Sequence, residues 1–233
     1  MAITRKTGNI FNTNNQTIVN TINCVGVMGA GIALECRLRY PSMYEKYINL
    51  CDQKKFDIGL LWVFRTNDPD RWILNFPTKK HWRHPSKKEY LYSGLRKFIE
   101  TYKTLGISSI AFPMLGADKG GLSQKVSFDI MNSMLGDLDM DIEIYEYDPY
   151  AKDDLFDITK NWLLSNSIEY ISETTNLRRN YIEKVIETLN DADIVQLNQL
   201  ANVKGVGIKT LEKIFRIANN SSESDISLQQ HLF

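Results

Sequence analysis

The chain has 233 residues and no net formal charge, with 28 Lys+Arg against 28 Asp+Glu. That balance excludes nucleic-acid binding driven by bulk charge and leaves any DNA affinity to local patches or backbone donors. Hydrophobic residues make up 43% and charged residues 24%, as in soluble globular proteins, and the length suits one α/β domain plus a small appendage.

The first 150 positions alternate strand and helix signals. Thr17 to Ile22 is β-branched and apolar and predicts a buried strand. Gly29-Ala30-Gly31 interrupts it, and helices are expected over Ile32 to Arg39 and Met43 to Cys51. Leu60 to Arg65 and Trp72 to Phe76 read as strands around the turn Asn67-Asp68-Pro69-Asp70. Ser86-Lys87-Lys88-Glu89 has the capping-box pattern and opens a long helix ending near Gly106. Ser109 to Leu115 is a further buried strand. A glycine loop and a helix from Ser123 to Leu135 follow, and Asp141 to Tyr147 closes the series as a strand. Repeated β-then-α units predict a mixed, mostly parallel sheet between helices over 1–150. Beyond Asp148-Pro149-Tyr150 the strand signals stop. Asp153 to Leu164, Arg178 to Leu189, Ile194 to Leu200 and Ile208 to Ala218 read as helices, giving a small all-α domain over 151–218. A polar, flexible tail is expected over 219–233.

Cys24, Cys36 and Cys51 show no C-x-x-C spacing, and an odd count fits no disulfide framework. Structural thiols in a reducing compartment are expected. Cys24 flanks a glycine loop, but no histidine lies near it in sequence to activate it. No Cys/His cluster calls for a metal, and no cofactor is implied. Met-Ala-Ile-Thr-Arg-Lys is followed by no apolar h-region, and no apolar run reaches about 20 residues. A cytoplasmic protein without membrane contact is expected.

The segment from Val19 to Ala33 carries the strongest chemical signal. A strand runs into Asn20 and Asn23, then into Met28, Gly29, Gly31 and Ile32 at a helix start. Glycines let backbone N–H groups approach an anion, the helix start adds its dipole, and Asn offers donors and acceptors to ribose hydroxyls. A second loop, Gly116-Ala117-Asp118-Lys119-Gly120-Gly121-Leu122, again joins a buried strand to a helix. Two such loops suit a diphosphate held between them; each also reads as a plain tight turn. The spacing is not that of the dinucleotide-binding fingerprint.

The pattern V-N-x-x-N-x-x-x-x-M-G-x-G-I-A resembles the first ligand loop of macrodomains, which bind ADP-ribose. Gly8-Asn9-Ile10 is similar to their G-D-I/L element, with Asn9 in place of an aspartate that accepts a hydrogen bond from the adenine amine. Asn75-Phe76-Pro77-Thr78-Lys79-Lys80-His81-Trp82-Arg83 is similar to a stretch of the DarG-type macrodomains. That group belongs to the terminal ADP-ribose glycohydrolase branch and removes ADP-ribose from thymidine in DNA. The resemblance implies a macrodomain fold over about 1–148 and ADP-ribose as ligand. It places the catalytic lysine on Lys79 and a further candidate acid on Asp118. Lysine attack on the anomeric carbon and electrostatic help to the departing base both remain open for Lys79. Thr78, Lys80, His81 and Trp82 are candidates for the base or DNA near the active site, since an extruded base is commonly held by aromatics. Tyr145 is a candidate adenine neighbour or a core tyrosine.

In the second domain, Leu200 to Ile214 resembles a helix–hairpin–helix DNA-binding motif. Gly205 and Gly207 would bare N–H groups to a phosphate, with Lys204, Lys209 and Lys213 adding positive charge; a plain αα-hairpin fits the same residues. Gln229, Leu232 and Phe233 resemble the Q-x-x-L-F peptide that binds the bacterial replication sliding clamp. The leading expectation is therefore an enzyme that removes ADP-ribose from single-stranded DNA. A cognate DNA ADP-ribosyltransferase toxin is a candidate partner. A non-catalytic ADP-ribose-binding module and a hydrolase of protein-linked or free ADP-ribose derivatives are the alternatives.

Overall fold

A computed structural model describes residues 3–66, 68 and 70–230, with side chains through Asn219. The chain divides into two compact units, one running through Tyr147 and the other beginning at Asp148.

The first unit is a six-stranded sheet between two pairs of helices. Its strands are β1 (Thr4–Gly8), β2 (Thr17–Asn23), β3 (Trp62–Arg65), β4 (Trp72–Lys79), β5 (Ser109–Pro113) and β6 (Asp141–Tyr147), in the order β1-β6-β5-β2-β4-β3. All neighbours are parallel except β3 and β4, which the short turn before Trp72 joins as an antiparallel pair. The helices are α1 (Gly31–Arg39), α2 (Pro41–Asp52), α3 (Lys88–Leu105) and α4 (Gln124–Leu135).

The two-residue strand period divides the apolar residues between two cores. Ile18, Ile22, Ile73 and Ala111 join Met43 and Tyr47 of α2 and Cys36 of α1 on one face. Val19, Leu74, Phe76 and Phe112 join Leu91, Leu95 and Phe98 of α3 and Met131 of α4 on the other. Strands buried on both faces read as continuous apolar runs, which is why β2, β4 and β5 are legible in the sequence.

Three features depart from expectation. β1 carries no apolar run, because Arg5 and Lys6 form an exposed edge held by ion pairs with Glu146 and Glu143 of β6. Charged edges of this kind block edge-to-edge pairing. Ser86 does not cap α3: Lys87 occupies the cap position without a side-chain bond, and Ser86 Oγ is buried without a hydrogen-bond partner. β4 runs on to Lys79, three residues beyond its apolar stretch.

The second unit contains α5 (Phe156–Ser165), α6 (Ile168–Thr175), α7 (Arg179–Leu189), a 3-10 turn (Leu197–Asn202) and α8 (Ile208–Gln230). The helix α6 is one the sequence pattern does not announce; it spans two turns, opened by Ser167 accepting from Tyr170 N and closed by Asn176 at φ 53°. The helix expected over Ile194 to Leu200 is instead the 3-10 turn, fixed by reciprocal capping between Gln196 and Gln199. No Gly or Pro stops α8 after Ala218, and its backbone stays helical through a stretch expected to be a flexible tail. Ile171, Ile182, Val185, Leu200, Ile214 and Phe215 are among the second unit's buried side chains. Asp153 ties the unit's start to its middle, its carboxylate accepting from Leu155 N at 3.1 Å and Leu197 N at 2.5 Å.

Gly94 lets α3 lie directly on the sheet. A Cβ there would sit 2.2 Å from Cζ of the fully buried Phe76 ring. We expect Gly94→Ala to lower unfolding free energy by about 1–3 kcal/mol through overpacking, measured by denaturant unfolding; an unchanged midpoint would contradict this packing.

Candidate active site

The C-terminal ends of β2, β4 and β5 lie side by side, the edge at which α/β sheets place ligands. Each end leads into a segment rich in polar backbone.

After β2, the loop to α1 is organised by two asparagines. Asn20 is fully buried and faces Asn75 of β4 in register, donating to its Oδ1 at 2.9 Å and touching Met28 Sδ at 3.9 Å. Its own Oδ1 has no partner. Asn23 Oδ1 accepts from Val25 N and Val27 N, its amide donates to Val27 O, and Tyr47 OH donates to Asn23 O at 2.7 Å. Both asparagines marked for ribose contact thus make bonds inside the protein, and Asn23 shapes the loop. Met28 is buried beneath it. Beyond Gly29, Ala30 opens α1 without a side-chain cap, so the first N–H groups of α1 have no capping side chain. Gly31 stands at φ +56°, and nothing lies within 4 Å of where its Cβ would be. Ile32 packs half-buried on the core behind.

At the end of β4 the pairing with β2 slips. Ile22 opposes Pro77, but Asn23 opposes Lys79, so Thr78 is bulged and buried. Such a bulge re-aims the residue that follows. Lys79 reaches the second glycine loop, its ammonium donating to the carbonyl of Lys119. Burial lowers its pKa below the usual lysine value. Lys80 is exposed and pairs with Asp57 at 3.7 Å.

After β5, the second loop is closed on itself. Ala117 N, Gly120 N, Gly121 N and Leu122 N donate to Met114, Ala117, Asp118 and Gly116 carbonyls. Gly116 stands at φ +66°, where a Cβ would press on Leu122, Ser86 and Leu91 at 3.0 to 3.2 Å. Asp118 is exposed and left-handed at φ +44°, a conformation Asp tolerates better than most residues. Ser86 N donates to Gly120 O at 2.9 Å. Ser86 and Asn75 therefore help to build the site, a role the sequence reading gave to neither: Ser86 reads as a helix cap, and Asn75 only opens the stretch similar to the DarG-type macrodomains.

Between Lys80 and α3 an aromatic ledge is exposed. His81 stacks on Trp82 with centroids 5.6 Å apart, His84 lies 5.2 Å from His81, and the Arg83 guanidinium covers the Trp82 ring at 4.6 Å. Trp82 is 45% exposed. His84 and Arg83 extend the surface beyond the two aromatics expected from sequence.

At the end of β1, on the same edge, Asn9 is only 5% exposed and Ile10 is buried. Asn9 Oδ1 accepts from Phe11 N at 3.0 Å, while its Nδ2 has no partner. Tyr145 is set in the core of that face.

Cys24 is half-buried and bonded within the protein. Its N–H donates to Lys80 O, its thiol to Lys79 O at 3.4 Å, and burial pushes the thiol up to about 12. Among the described residues no three His, Cys, Asp or Glu side chains gather to hold a metal, and no helix is long and apolar enough to cross a membrane.

In the second unit, Lys204, Gly205, Gly207 and Lys209 are exposed around the start of α8, with Gly205 at φ +93°. Lys213 donates to Asn176 O at the end of α6, so it ties two helices together. The segment before the hairpin is the 3-10 turn rather than an α-helix. Leu232, Phe233 and the side chain of Gln229 lie outside the described residues.

Residues 19–131 match the Macro domain family model. The macrodomain of Mycobacterium tuberculosis DarG aligns at 42% identity with a TM-score of 0.59, covering 61% of this chain and 96% of that one. The chain belongs to the macrodomain family. Within that family it is similar to the DNA ADP-ribosyl glycohydrolase of M. tuberculosis, 45% identical over 122 residues, or 52% of this chain and 35% of the relative. It is also similar to a DNA ADP-ribosyl transferase-DNA ADP-ribosyl glycohydrolase fusion protein of Thermosipho africanus, 32% identical over 155 residues, or 59% of this chain and 40% of the relative. The structure of T. africanus DarTG in complex with ADP-ribose aligns with a TM-score of 0.58 at 32% identity, over 62% of this chain and 42% of that one. The chain thus spans well under half the length of these curated relatives.

With its thiol pushed up to about 12, Cys24 should alkylate roughly a thousandfold more slowly than an unperturbed cysteine near neutral pH. Peptide mass spectrometry after timed iodoacetamide treatment measures this; rapid labelling of native Cys24 would refute the raised thiol pKa.

Proposed function

We propose that this protein is a DNA ADP-ribosyl glycohydrolase that removes ADP-ribose from a DNA base, thymidine in particular. The observation that carries the reading is Lys79. The bulge at Thr78 turns it from the end of β4 to the second glycine loop, and burial lowers its pKa. The diphosphate would lie between the start of α1 and the loop Gly116–Leu122, with the ribose near Lys79. A lysine with a lowered pKa holds more neutral amine near neutral pH, which favours attack on the anomeric carbon over a purely electrostatic role. Asp118, beside Lys119 in the loop, is a candidate proton carrier in the same reaction. The ledge of His81 and Trp82 offers a stacking surface for a base lifted out of a strand. Single-stranded DNA is the preferred form, because its base is already unpaired.

Lys204, Lys209 and the N–H groups around Gly205 and Gly207 would hold a DNA phosphate without reading sequence. The peptide Gln229 to Phe233 would dock on the sliding clamp. A cognate DNA ADP-ribosyltransferase is the partner whose product this enzyme reverses, in the manner suggested by the name of the T. africanus fusion protein.

The test uses a single-stranded oligonucleotide carrying ADP-ribosyl-thymidine, following free ADP-ribose by chromatography. We expect turnover by the wild type and a loss of about a hundredfold or more in Lys79→Ala, with ADP-ribose affinity retained. As pH rises the amine loses its proton, earlier than an ordinary lysine would, so turnover should climb with pH toward the lowered pKa. A fall over that range would assign Lys79 a charge role, and ADP-ribose binding without turnover would make the protein a binding module.

Gly31 offers a second probe, because a Cβ there meets no protein atom. Gly31→Ala should cost about 1–2 kcal/mol of stability for its left-handed backbone yet weaken ADP-ribose roughly tenfold or more by calorimetry. Unchanged affinity would place the diphosphate elsewhere.

A further inference from the structure

Strand β4 leads from the site into a strongly basic stretch. Positions 79–96 hold six Lys and Arg against one acid, Glu89, in a chain with 28 of each sign. Such a concentration on a neutral protein makes a local surface for a polyanion. Lys80, Arg83, Lys87, Lys88 and Arg96 are all exposed. Among the described residues, Lys80 alone of these five pairs with an acid, Asp57. Exposed rings are interleaved with the cations. The Arg83 guanidinium covers the Trp82 ring, and on α3 Lys88, Tyr92 and Arg96 recur every four residues, so they share one ridge as cation, ring and cation. Tyr92 is 41% exposed. The ridge is about 12 Å long at ~1.5 Å per residue, or about three stacked nucleotide steps at ~3.4 Å each. Its start adjoins the site. Ser86 N–H donates to Gly120 O at 2.9 Å, and the carbonyl one residue earlier, on Lys119, receives the Lys79 ammonium.

The geometry points to a track for a single DNA strand that begins at the Trp82 ledge and continues over Lys87 and the Lys88–Tyr92–Arg96 ridge of α3. It rests on the hydrolase reading above and adds the nucleotides that flank the modified one. Phosphates meet Lys88 and Arg96, and Tyr92 stacks on an unpaired base between them. Cations that follow a backbone together with rings that take any base are the chemistry of single-strand binding. An acidic protein would use the cations but give Tyr92 nothing to stack on, and a duplex keeps its base faces covered. Contacts of this kind carry no sequence information, so the track accepts the modified base in any sequence context.

The experiment measures kcat and KM of the full chain on two substrates, the ADP-ribosyl-thymidine nucleoside and a short single strand carrying the same group. Turnover counts only strands seated at Lys79, so DNA held elsewhere on the chain does not register. For the double variant Lys88→Gln, Arg96→Gln we expect the strand's KM to rise about tenfold or more, with kcat and the nucleoside's KM unchanged. The slope of log KM against log salt should fall by about 1.4, at ~0.7 per phosphate contact. Tyr92→Ala should raise the strand's KM about fivefold or more, and Tyr92→Phe should restore it. All of these side chains are exposed, and melting curves verify that the fold is kept. An unchanged strand KM in the double variant would overturn the track and leave the hydrolase reading standing. An equal rise for the nucleoside would overturn it as well, because the residues would then act on the site itself. Polyglutamate that inhibits as strongly as an unmodified strand of equal charge would reduce the track to a surface for any polyanion. Wild type that turns over neither substrate would overturn both readings together.

Discussion

The pairing of β2 with β4 sets the rest of the first unit in place. Two fully buried amides, Asn20 and Asn75, meet across it at 2.9 Å between apolar neighbours. Hydrogen bonds in such surroundings are costly to leave unmade, so the register is strongly specified. From that fixed point the slip at Thr78 follows, and with it the direction of Lys79. The loop after β2 is shaped from the same strand, three residues on, by Asn23. A single cross-strand contact thus governs both the lysine and the loop that follows β2.

The site is built mostly from amides that are engaged with the protein itself. Asn23 fastens Val25 and Val27, Tyr47 fastens Asn23, and the second loop closes through four of its own N–H groups. Such internal bonding holds the glycine loops in shape before a ligand arrives, which lowers the ordering cost of binding. What remains outside this internal bonding is sparse: the uncapped start of α1 and, sealed inside the protein, the orphan atoms of Asn9 and Asn20.

The macrodomain sheet was legible wherever burial on both faces imposed an apolar run, as in Ile18-Val19 or Ile110-Ala111-Phe112. The loops were legible because glycine and asparagine mark tight turns at strand ends. The first strand was not, since Thr4-Arg5-Lys6-Thr7 owes its state to partners some 140 positions away, such as Glu146 with Arg5. Local pattern carries no record of such pairing. Ser86 misled because a serine three residues before a glutamate suits a cap, whereas here the tertiary position under Gly120 decided its surroundings. The orientation of the Asn9 amide was likewise beyond the sequence, because it depends on the turn that brings Phe11 N–H to its oxygen. In the second unit, α6 was hidden by its shortness: two turns give an apolar stripe too brief to show a period.

The charged first strand has a consequence for handling the molecule. β1 pairs with β6 along five consecutive residues, and β6 carries Ile142 and Ile144, both almost fully enclosed. Removing the first eight residues would take away no part of either apolar core's centre. It would, however, strip β6 of its hydrogen-bonding neighbour and turn a well-covered inner strand into a bare, apolar margin. The missing lysine and arginine are the groups that make the natural margin unattractive to another sheet. In a shortened protein that still folds, β6 would become an edge on which a second copy could add a strand.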